Sequence, residues 1–386
     1  MKNAELFDTK ICLVRYNLRL VTMKILNIKK YPVKEIVKQA VEVLKNGGLV
    51  IYPTETVYGV GVDATNQKAV DKLLAYKSRR EGKPLSIAVT SKDMAADYVK
   101  INQQASNLYQ KFLPGPVTVI SKSKDKTAKG VDSEFGTLGI RIPDYPLILD
   151  IVKAFAKPIT ATSANASGKK RPYQMEDVFD NLSAKQKGLI DLLLDAGTLP
   201  KNQPSTVIDT TLSTPVTMRE GAVSAEQKSK IDKSKITILN SNSEKETQEI
   251  AARIILKHWD ELKRDGLIIA LNGPLGVGKT IFTKGIAKFL NIDETLTSPT
   301  YTYINEYDFV RHNVDGKLFH ADMWKVDNQQ EFKMLKIEEL IKANNVLVIE
   351  WWDQVKEFIK KPKCSIVKID FEETSTNKRK LVIYDF

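Results

Sequence analysis

The chain alternates between apolar residues at helical spacing and short apolar runs, a pattern that predicts helices and strands in turn. From Val33 the apolar positions follow helical spacing as far as Leu44, and Gly47 and Gly48 end this helix. The other predicted segments of the first half are the helices AVDKLLAYK, INQQASNLYQKFL and LILDIVKAFA and the strands LVIYP, LSIAV, PVTVI, LGIRIP, PITAT, LIDLLLDAG, STVIDT and PVTMREG. Because apolar strands must be covered by helices, the alternation predicts an α/β domain with a twisted, mixed sheet.

A second α/β pattern starts at ITILN. It contains one long amphipathic helix over about 244–264, the helix KTIFTKGIAKFLN, and the strands LIIALNG, TYTYINEYDF, KLFHADMW, VLVIEWW, SIVKIDF and KLVIYDF. The stretch AVSAEQKSKIDKSK between the two patterns is small, polar and rich in lysine, which is typical of a linker. We therefore predict an N-terminal extension over 1–22, a first domain over 23–223, a linker over 224–235 and a second domain over 236–386.

Charge and composition narrow the class of protein. The 386 residues carry a net charge of +12, and 42% are hydrophobic and 27% charged, as in globular domains. Residues 236–386 hold 22 Lys and Arg against 23 Asp and Glu, which leaves a balance of +13 for residues 1–235. Such a field attracts polyanions, either nucleotides or RNA, although solubility alone also accounts for a lysine-rich surface.

The sequence also indicates a compartment. No apolar run approaches the roughly 18 residues that cross a membrane, and the N-terminus lacks the pattern of a secretory signal, so we expect a cytoplasmic protein without a membrane partner. Cys12 and Cys364 are far apart, and His258, His312 and His320 are scattered, which argues against a disulfide framework or a zinc cluster.

The stretch LNGPLGVGKT, residues 271–280, is the most specific motif for nucleotide binding. It fits the pattern G-x-x-x-x-G-K-T, follows an apolar strand and opens a helix. The candidate ATP-binding residues are Gly273, Gly276, Val277, Gly278, Lys279 and Thr280. In such a loop the backbone N–H groups surround the phosphates, Lys279 reaches the β- and γ-phosphates, and the Thr280 hydroxyl can ligate Mg²⁺. Because Mg²⁺ also needs a carboxylate at a strand end, we expect Asp322 or Glu350 at the metal.

Four ordered motifs, LNGPLGVGKT, TSPTYTYINEY, LFHADMW and VIEWWDQV, resemble the small P-loop ATPase of bacterial threonylcarbamoyladenosine synthesis, called TsaE or YjeE. The resemblance covers about residues 236–386 and implies a P-loop NTPase-like α/β domain that binds ATP and hydrolyses it slowly. The implied positions are Lys279 and Thr280 at phosphate and metal, Asp322 and Glu350 at the magnesium end, and Ser298, Thr300 and Trp351 in neighbouring motifs. Pro274 replaces a common Asp, which should alter loop stiffness more than phosphate binding, since the loop acts through its backbone.

Seven segments of the first half place hydroxyls, amides or cations at strand ends and glycine turns. They are YPTETVYGVG, KSRREGKPLSIAV, PGPVTVI, TLGIRIPDYP, TATSANASG, PSTVID and REGAVS. Side chains at such positions converge on a cavity, so Lys77 and Arg79 can clamp a phosphate while Ser163 and Asn165 supply hydrogen bonds. Taken singly, the two cations also fit a solvated face, the Ser-Ala-Asn stretch a turn, and Arg141 a structural ion pair. Positioning of charged reactants is favoured over covalent catalysis, because no Cys nucleophile or Ser–His pair stands out.

The ordered series resembles the YrdC-type L-threonylcarbamoyladenylate synthase, TsaC, over about residues 25–223. The resemblance implies a YrdC-like mixed sheet and the conversion of L-threonine, bicarbonate or CO₂ and ATP into threonylcarbamoyl-AMP and pyrophosphate, with Mg²⁺ as cofactor. It implies ATP contacts from Lys77, Arg79, Thr137, Ser163, Asn165 and Arg219, of which Lys77, Arg79, Ser163 and Asn165 are the catalytic candidates, and threonine contacts from Thr56, Arg141 and Ser205. Ala88 stands where several relatives have His, so another group must orient threonine or affinity falls.

Both resemblances lead to one tRNA modification route, in which a TsaD-type transferase with a TsaB-type subunit moves the threonylcarbamoyl group to tRNA. Two other functions fit parts of the pattern. An RNA-binding or ribosome-associated factor with the P-loop as a regulatory switch would use the balance of +13 in the first 235 residues. A carbamoyl-transferring enzyme with another acceptor would normally bring zinc-finger cysteines and a transferase module, which this sequence lacks.

Overall fold

The computed structural model describes residues 10–16, 19–77, 85–166, 169–180, 182–223, 236–299, 301–360, 362–375 and 377–385, with side chains from Met23 onward. The chain divides into two compact units, Met1–Thr211 with Thr217–Ser229 and Leu212–Val216 with Lys230–Phe386. Each unit has its own β-sheet.

The first sheet is mixed, which confirms the predicted fold class. Its strands are β1 (Lys10–Tyr16), β2 (Arg19–Asn27), β3 (Val50–Tyr52), β4 (Gly59–Gly61), β5 (Ser86–Ala88), β6 (Val99–Lys100), β7 (Val117–Ser123), β8 (Thr137–Arg141), β9 (Ile159–Ser163), β10 (Leu192–Asp195), β11 (Thr206–Asp209) and β12 (Val216–Arg219). The helices are α1 (Val33–Lys45), α2 (Gln67–Lys77), α3 (Lys92–Tyr98), α4 (Gln103–Phe112), α5 (Pro146–Phe155), α6 (Met175–Phe179) and α7 (Ala184–Lys187). The strand order is β1-β2-β10-β3-β4-β9-β5-β8-β7-β11-β12, and β6 pairs with β7.

Both faces of this sheet are covered, which explains why its strands read as continuous apolar runs. In β10, Leu193 packs in one buried cluster with Ile51, whereas its neighbours Leu192 and Leu194 pack in a second cluster with Val50. The second cluster also holds the apolar faces of α1 and α5. A strand that is buried on both faces has no polar side to expose, so it loses the alternation of a half-buried strand.

The N-terminal segment forms more structure than the sequence predicts. The first domain is predicted to begin at residue 23, but β2 begins at Arg19 and pairs antiparallel with β1. On its other side β2 pairs in parallel with β10, where Leu192 opposes Lys24. Strand pairing is made by backbone groups, so a hairpin at a sheet edge needs no strong side-chain period to form.

The second unit contains β13 (Ile236–Ser241), α8 (Glu244–Lys257), α9 (Trp259–Asp265), β14 (Leu267–Asn272), α10 (Lys279–Phe289), β15 (Ile304–Arg311), β16 (Val314–Asp322), α11 (Gln329–Met334), α12 (Ile337–Leu340), β17 (Val346–Glu350), α13 (Trp352–Val355), β18 (Ser365–Ser375) and β19 (Lys378–Asp385). Its strand order is β13-β19-β18-β14-β17-β16-β15. Strand β14 is parallel to β17 and β18, and β16 is parallel to β17. The carboxyl ends of these four strands therefore meet at one edge, where the glycine loop follows β14.

The single helix predicted over about 244–264 is wrong in one detail, because it is broken at His258. α8 ends at Lys257, and α9 begins at Trp259. The two helices bury apolar side chains in succession, from Ile255 to Leu262. The apolar period thus continues through the break, so periodicity alone cannot reveal it.

Candidate functional site

Three of the four catalytic candidates in the first unit come together. Lys77, at the last position of α2, donates from Nζ to the carbonyl oxygens of Ser163 at 2.7 Å and Asn165 at 2.6 Å. Lys77 is therefore buried at a helix end, rather than on the solvated face or loop that its sequence context also allowed. The fourth candidate, Arg79, lies outside the described residues.

Asn165 has an acceptor atom that no described residue uses. Its amide nitrogen donates to the carbonyl of Lys169 at 2.6 Å, while its Oδ1 is buried without a hydrogen-bond partner among the described residues. Because an unsatisfied buried acceptor is costly, a ligand donor such as a ribose hydroxyl would stabilise this position.

Thr137 lies at the same sheet edge as Ser163. Strand β5 pairs with both neighbours, and its Ser86 opposes Gly139 of β8 and Ala161 of β9. Thr137 lies two residues before Gly139, and Ser163 lies two residues after Ala161. Because β8 is parallel and β9 antiparallel to β5, both steps lead to the same end of the sheet. The Thr137 hydroxyl lies 2.7 Å from that of Ser133 and is buried.

Arg141, at the other end of β8, forms an ion pair with Glu55, so the structural reading of this arginine holds in the structure. The pair is incomplete, because Nε of Arg141 and Oε2 of Glu55 are both buried without hydrogen-bond partners in the described chain. Thr56, next to Glu55, is buried and lies 3.0 Å from Thr54 through their hydroxyl oxygens. A ligand carboxylate and a ligand donor would satisfy the two open atoms.

Ser205 and Arg219 are also brought together. Arg219 Nη2 donates to both the hydroxyl and the carbonyl oxygen of Ser205, each at 2.9 Å. The Ser205 hydroxyl lies 3.2 Å from that of Thr118. In the β7–β8 register Val119 faces Ile140, so Thr118 and Arg141 are the next residues of the two strands. Thr118 of β7 therefore lies between Arg141 of β8 and Ser205, which directly precedes β11, and Ala88 of β5 opposes Arg141 on its other side.

The glycine loop of the second unit has the backbone that a phosphate cradle needs. Gly273, Gly276 and Gly278 have φ values of 140°, 79° and 109°, which side chains rarely tolerate. Lys279 opens α10 and donates from Nζ to the carbonyl oxygens of Gly273 at 2.9 Å and Pro274 at 3.0 Å. The lysine thus closes over the loop at the start of a helix.

Both carboxylate candidates lie beside this loop. Asp322 and Glu350 oppose each other in the β16–β17 register, and Leu271 of β14 also faces Glu350. The Thr280 hydroxyl donates to Glu350 Oε1 at 3.3 Å. A hydroxyl and a carboxylate at this distance fit a Mg²⁺ ion that takes its other ligands from phosphate and water. Among the described residues, no cluster of three His, Cys, Asp or Glu side chains could hold a metal alone.

Lys279 is enclosed by aromatic and acidic groups. Its Nζ lies 4.7 Å from the ring centre of Trp351, whose ring centre is 4.8 Å from that of Trp324. Burial lowers the pKa of Lys279 below its ordinary value, while the Glu350 and Asp322 carboxylates act in the opposite direction. Trp351 itself has a φ of 63°, an uncommon conformation for a bulky residue and one found at functional sites. Of its companions, Ser298 is exposed and Thr300 lies outside the described residues.

Three residues near these sites were missed by sequence reasoning. Glu55 lies inside a segment chosen for its threonines, and the ion pair to Arg141 gives no sequence signal. His320, dismissed as isolated, is fully buried with Nε2 2.9 Å from Glu350 Oε1. Its position two residues before Asp322, on the same strand face, could have indicated it. Arg379 packs against Gly278 from β19 and has no motif around it.

Two families match the chain. Residues 42–221 match the family of Sua5, YciO and YrdC proteins described as Telomere recombination. Residues 241–381 match the family described as Threonylcarbamoyl adenosine biosynthesis protein TsaE. The two matches do not overlap, and each contains one of the sites above.

Individual relatives agree with the first match. A protein of Methanocaldococcus jannaschii is 34% identical over 201 residues, which is 52% of this chain and 93% of the relative. The threonylcarbamoyl-AMP synthase of Bacillus subtilis is 34% identical over 193 residues, which is 50% of this chain but only 55% of that protein. The solved structure of a Pyrococcus abyssi Sua5 variant superposes with a TM-score of 0.50 at 20% identity, over 90% of this chain and 99% of that one, which is a likeness of fold. Within the described residues, no helix is long and apolar enough to span a membrane.

Proposed function

Because the chain belongs to the Sua5/YciO/YrdC family through residues 42–221 and carries a TsaE domain over residues 241–381, we propose that it makes threonylcarbamoyl-AMP and supports its transfer to tRNA. The observation that carries this proposal is the meeting of Lys77, Ser163 and Asn165 at one sheet edge, in a chain that has a separate P-loop.

The first unit joins L-threonine, bicarbonate or CO₂ and ATP. The threonine nitrogen forms a bond to the carbon of CO₂ and loses a proton to solvent, which gives a carbamate. A carbamate oxygen then forms a bond to the α-phosphorus of ATP, and the bond from that phosphorus to the pyrophosphate oxygen breaks. Alignment of charged reactants supplies much of the acceleration of such a sequence.

The arrangement of the side chains supports this division of roles. Lys77 brings a positive charge to the loop of Ser163 and Asn165, and Thr137 lies at the same edge, as a nucleotide site requires. Arg141 lies at the other end of β8, where it can pair with the threonine carboxylate, and Thr56 follows its ion-pair partner Glu55 in the chain. Arg219 and Ser205 bond to each other beside this row, and we assign them to ATP and threonine respectively.

The second unit binds ATP at the P-loop and hydrolyses it slowly to support the transferase complex. Lys279 neutralises the phosphates, while the Thr280 hydroxyl and the Glu350 carboxylate would hold Mg²⁺ with Asp322 beside them. When bound, Mg²⁺ spreads the negative charge of the phosphates. The partners in this proposal are a TsaD-type transferase and a TsaB-type subunit, with tRNA reached through that complex.

Product analysis tests the first activity. The intact chain is incubated with ATP, bicarbonate and L-threonine, with and without tRNA, and pyrophosphate and threonylcarbamoyl-AMP are quantified. We expect pyrophosphate release that depends on threonine, and at least a tenfold loss in Lys77→Ala, because removal of the lysine frees the loop that positions ATP. Lys72→Ala is the matched control, since Lys72 lies on the same helix but pairs with Asp191 at 2.5 Å.

The outcome separates this proposal from an RNA-binding factor. A binding protein that uses its +13 field would retain tRNA at moderate salt but release no pyrophosphate in response to threonine. That result in the wild-type chain, or equal activity in Lys77→Ala and Lys72→Ala, would contradict the enzymatic assignment of the first unit.

A further inference from the structure

A second buried cation lies beside the P-loop. Arg379, near the start of β19, is only 6% exposed. A Cβ atom added to Gly278 would lie 3.0 Å from Cζ and 3.1 Å from Nε of this arginine, so the guanidinium group packs directly on the loop. Gly278 is the N-cap of α10, and Lys279 is the first residue of that helix.

The charge of Arg379 has no acidic partner within the described residues. Its Nη1 donates to the Thr247 hydroxyl of α8 at 2.9 Å, and this hydroxyl lies 2.7 Å from that of Ser241. Its cross-strand neighbour Glu373 is exposed and forms no ion pair with it in the described chain. A guanidinium group stays charged at any working pH, and a neutral hydroxyl does not offset the cost of burying it.

The surroundings of Arg379 are positive as well. The N-terminus of α10 carries the positive end of the helix dipole, and Lys279 adds a second charge. Glu350 and Asp322 offset the charge of Lys279, but no carboxylate pairs with Arg379 in the described chain, so an anion on the loop would offset the remaining positive charge. A polyphosphate bound to the loop would supply that anion.

We propose that Arg379 is a further phosphate-binding residue of the P-loop site and pairs with the polyphosphate chain of a bound nucleoside triphosphate. This inference rests on the proposed ATP binding of the second unit. The competing explanation is structural, in which Arg379 only ties β19 to α8 through Thr247. The two explanations differ in what the ligand-free protein loses when Arg379 is replaced.

Tryptophan fluorescence of the intact chain can follow this site selectively. All four tryptophans, Trp259, Trp324, Trp351 and Trp352, lie in the second unit. Titrations with ATP and with tripolyphosphate, each with Mg²⁺, give dissociation constants, and thermal unfolding without ligand gives Tm. Arg379→Gln should weaken the binding of both ligands about tenfold or more, because a charge-assisted hydrogen bond is lost. The Tm without ligand should stay the same or rise, since repulsion around the loop is relieved.

Arg311→Gln is the matched control for a buried structural arginine. Arg311 is also 6% exposed, bonds Asn291 at 2.6 Å and stacks on Phe289, at the far end of α10 from the loop. This variant should lower the Tm without ligand and leave both dissociation constants unchanged. Arg379→Lys, which keeps the charge, should bind ATP more tightly than Arg379→Gln. The lysine variant is also the replacement test if the glutamine variant does not fold.

Unchanged binding of ATP and tripolyphosphate in Arg379→Gln would overturn the inference, as would a fall in Tm without any loss of affinity. Lys279→Ala separates this result from a failure of the proposed ATPase function. If wild-type fluorescence does not respond to ATP, the P-loop assignment fails. If it responds and only Lys279→Ala abolishes the response, the P-loop assignment stands and the role of Arg379 fails.

Discussion

At the scale of single residues, the Glu55–Arg141 ion pair of the first unit leaves one polar atom of each partner unsatisfied. The two charges meet, yet Glu55 Oε2 and Arg141 Nε lack hydrogen-bond partners in the described chain. Burial of half-satisfied charged groups is costly, and such groups tend to occur where a ligand completes them. Threonine has a carboxylate for the arginine and an amine and hydroxyl for the glutamate. The open atoms therefore match the two ends of the proposed substrate.

Replacement of Glu55 by Gln should expose this complementarity. The variant leaves the buried guanidinium without its counter-charge, so we expect a loss of about 2 kcal/mol in the free energy of unfolding and a fall of several degrees in Tm. Added L-threonine should raise Tm less in Glu55→Gln than in wild type, because the neutral amide no longer attracts the threonine ammonium group. Thermal unfolding with and without threonine measures both effects. The idea is wrong if threonine stabilises the variant as much as it stabilises the wild-type protein.

At the scale of elements, one glycine decides how closely two helices of the second unit approach. A Cβ atom at Gly285 of α10 would lie 2.5 Å from Cα and 2.6 Å from the carbonyl oxygen of Gln248 in α8. These are backbone atoms, which cannot turn aside as a side chain can. Helix α10 carries the P-loop lysine at its first position, so this contact also fixes the direction in which the loop is presented.

The sign of the change in the free energy of unfolding in Gly285→Ala tests this contact. In a free helix this change stabilises by about 0.5–1 kcal/mol, because alanine is the better helix former. Here we expect destabilisation of about 1–3 kcal/mol, since the added methyl group must push α8 away from α10. Chemical denaturation of the intact chain measures it, with the exposed neighbour Lys284→Ala as a control within about 0.5 kcal/mol of wild type. A gain in stability would show that the helices separate easily.

Sequence patterns predicted the elements with a strong period and failed where backbone geometry decides. The helix over α10 and the strand ends at Asp322 and Glu350 followed from apolar runs and the glycine motif. The break at His258 did not, because the apolar period runs through it. The motif residues of the site could be identified from the sequence. Arg379 could not, because it lies in β19, far from the glycine loop along the chain, and contacts the loop only in the folded protein. Contacts of that kind depend on register between strands, which a single sequence does not specify.

At the scale of the whole molecule, the two proposed nucleotide sites lie in parts of the chain that differ in net charge. The first 235 residues have a balance of +13, whereas residues 236–386 are nearly neutral. A basic field suits a unit that gathers polyanionic ATP, and tRNA would be attracted to the same part of the chain. Covalent linkage raises the effective concentration of one unit near a shared partner, which benefits successive steps more than a single one.

Lys279→Ala should therefore separate the two activities of the chain. Loss of the lysine removes the charge that reaches the phosphates, so ATP turnover in the second unit should fall at least tenfold. In a multiple-turnover tRNA modification assay with the transferase components supplied, we expect the modification rate to fall with it. Threonine-dependent pyrophosphate release by the same preparation should stay at the wild-type rate, because the substituted residue belongs to the other unit.

Equal modification rates for wild type and variant would mean that the P-loop does not drive the transferase cycle. A parallel loss of pyrophosphate release would mean instead that the first unit depends on nucleotide bound to the second, since the adenylate-forming residues themselves are unchanged.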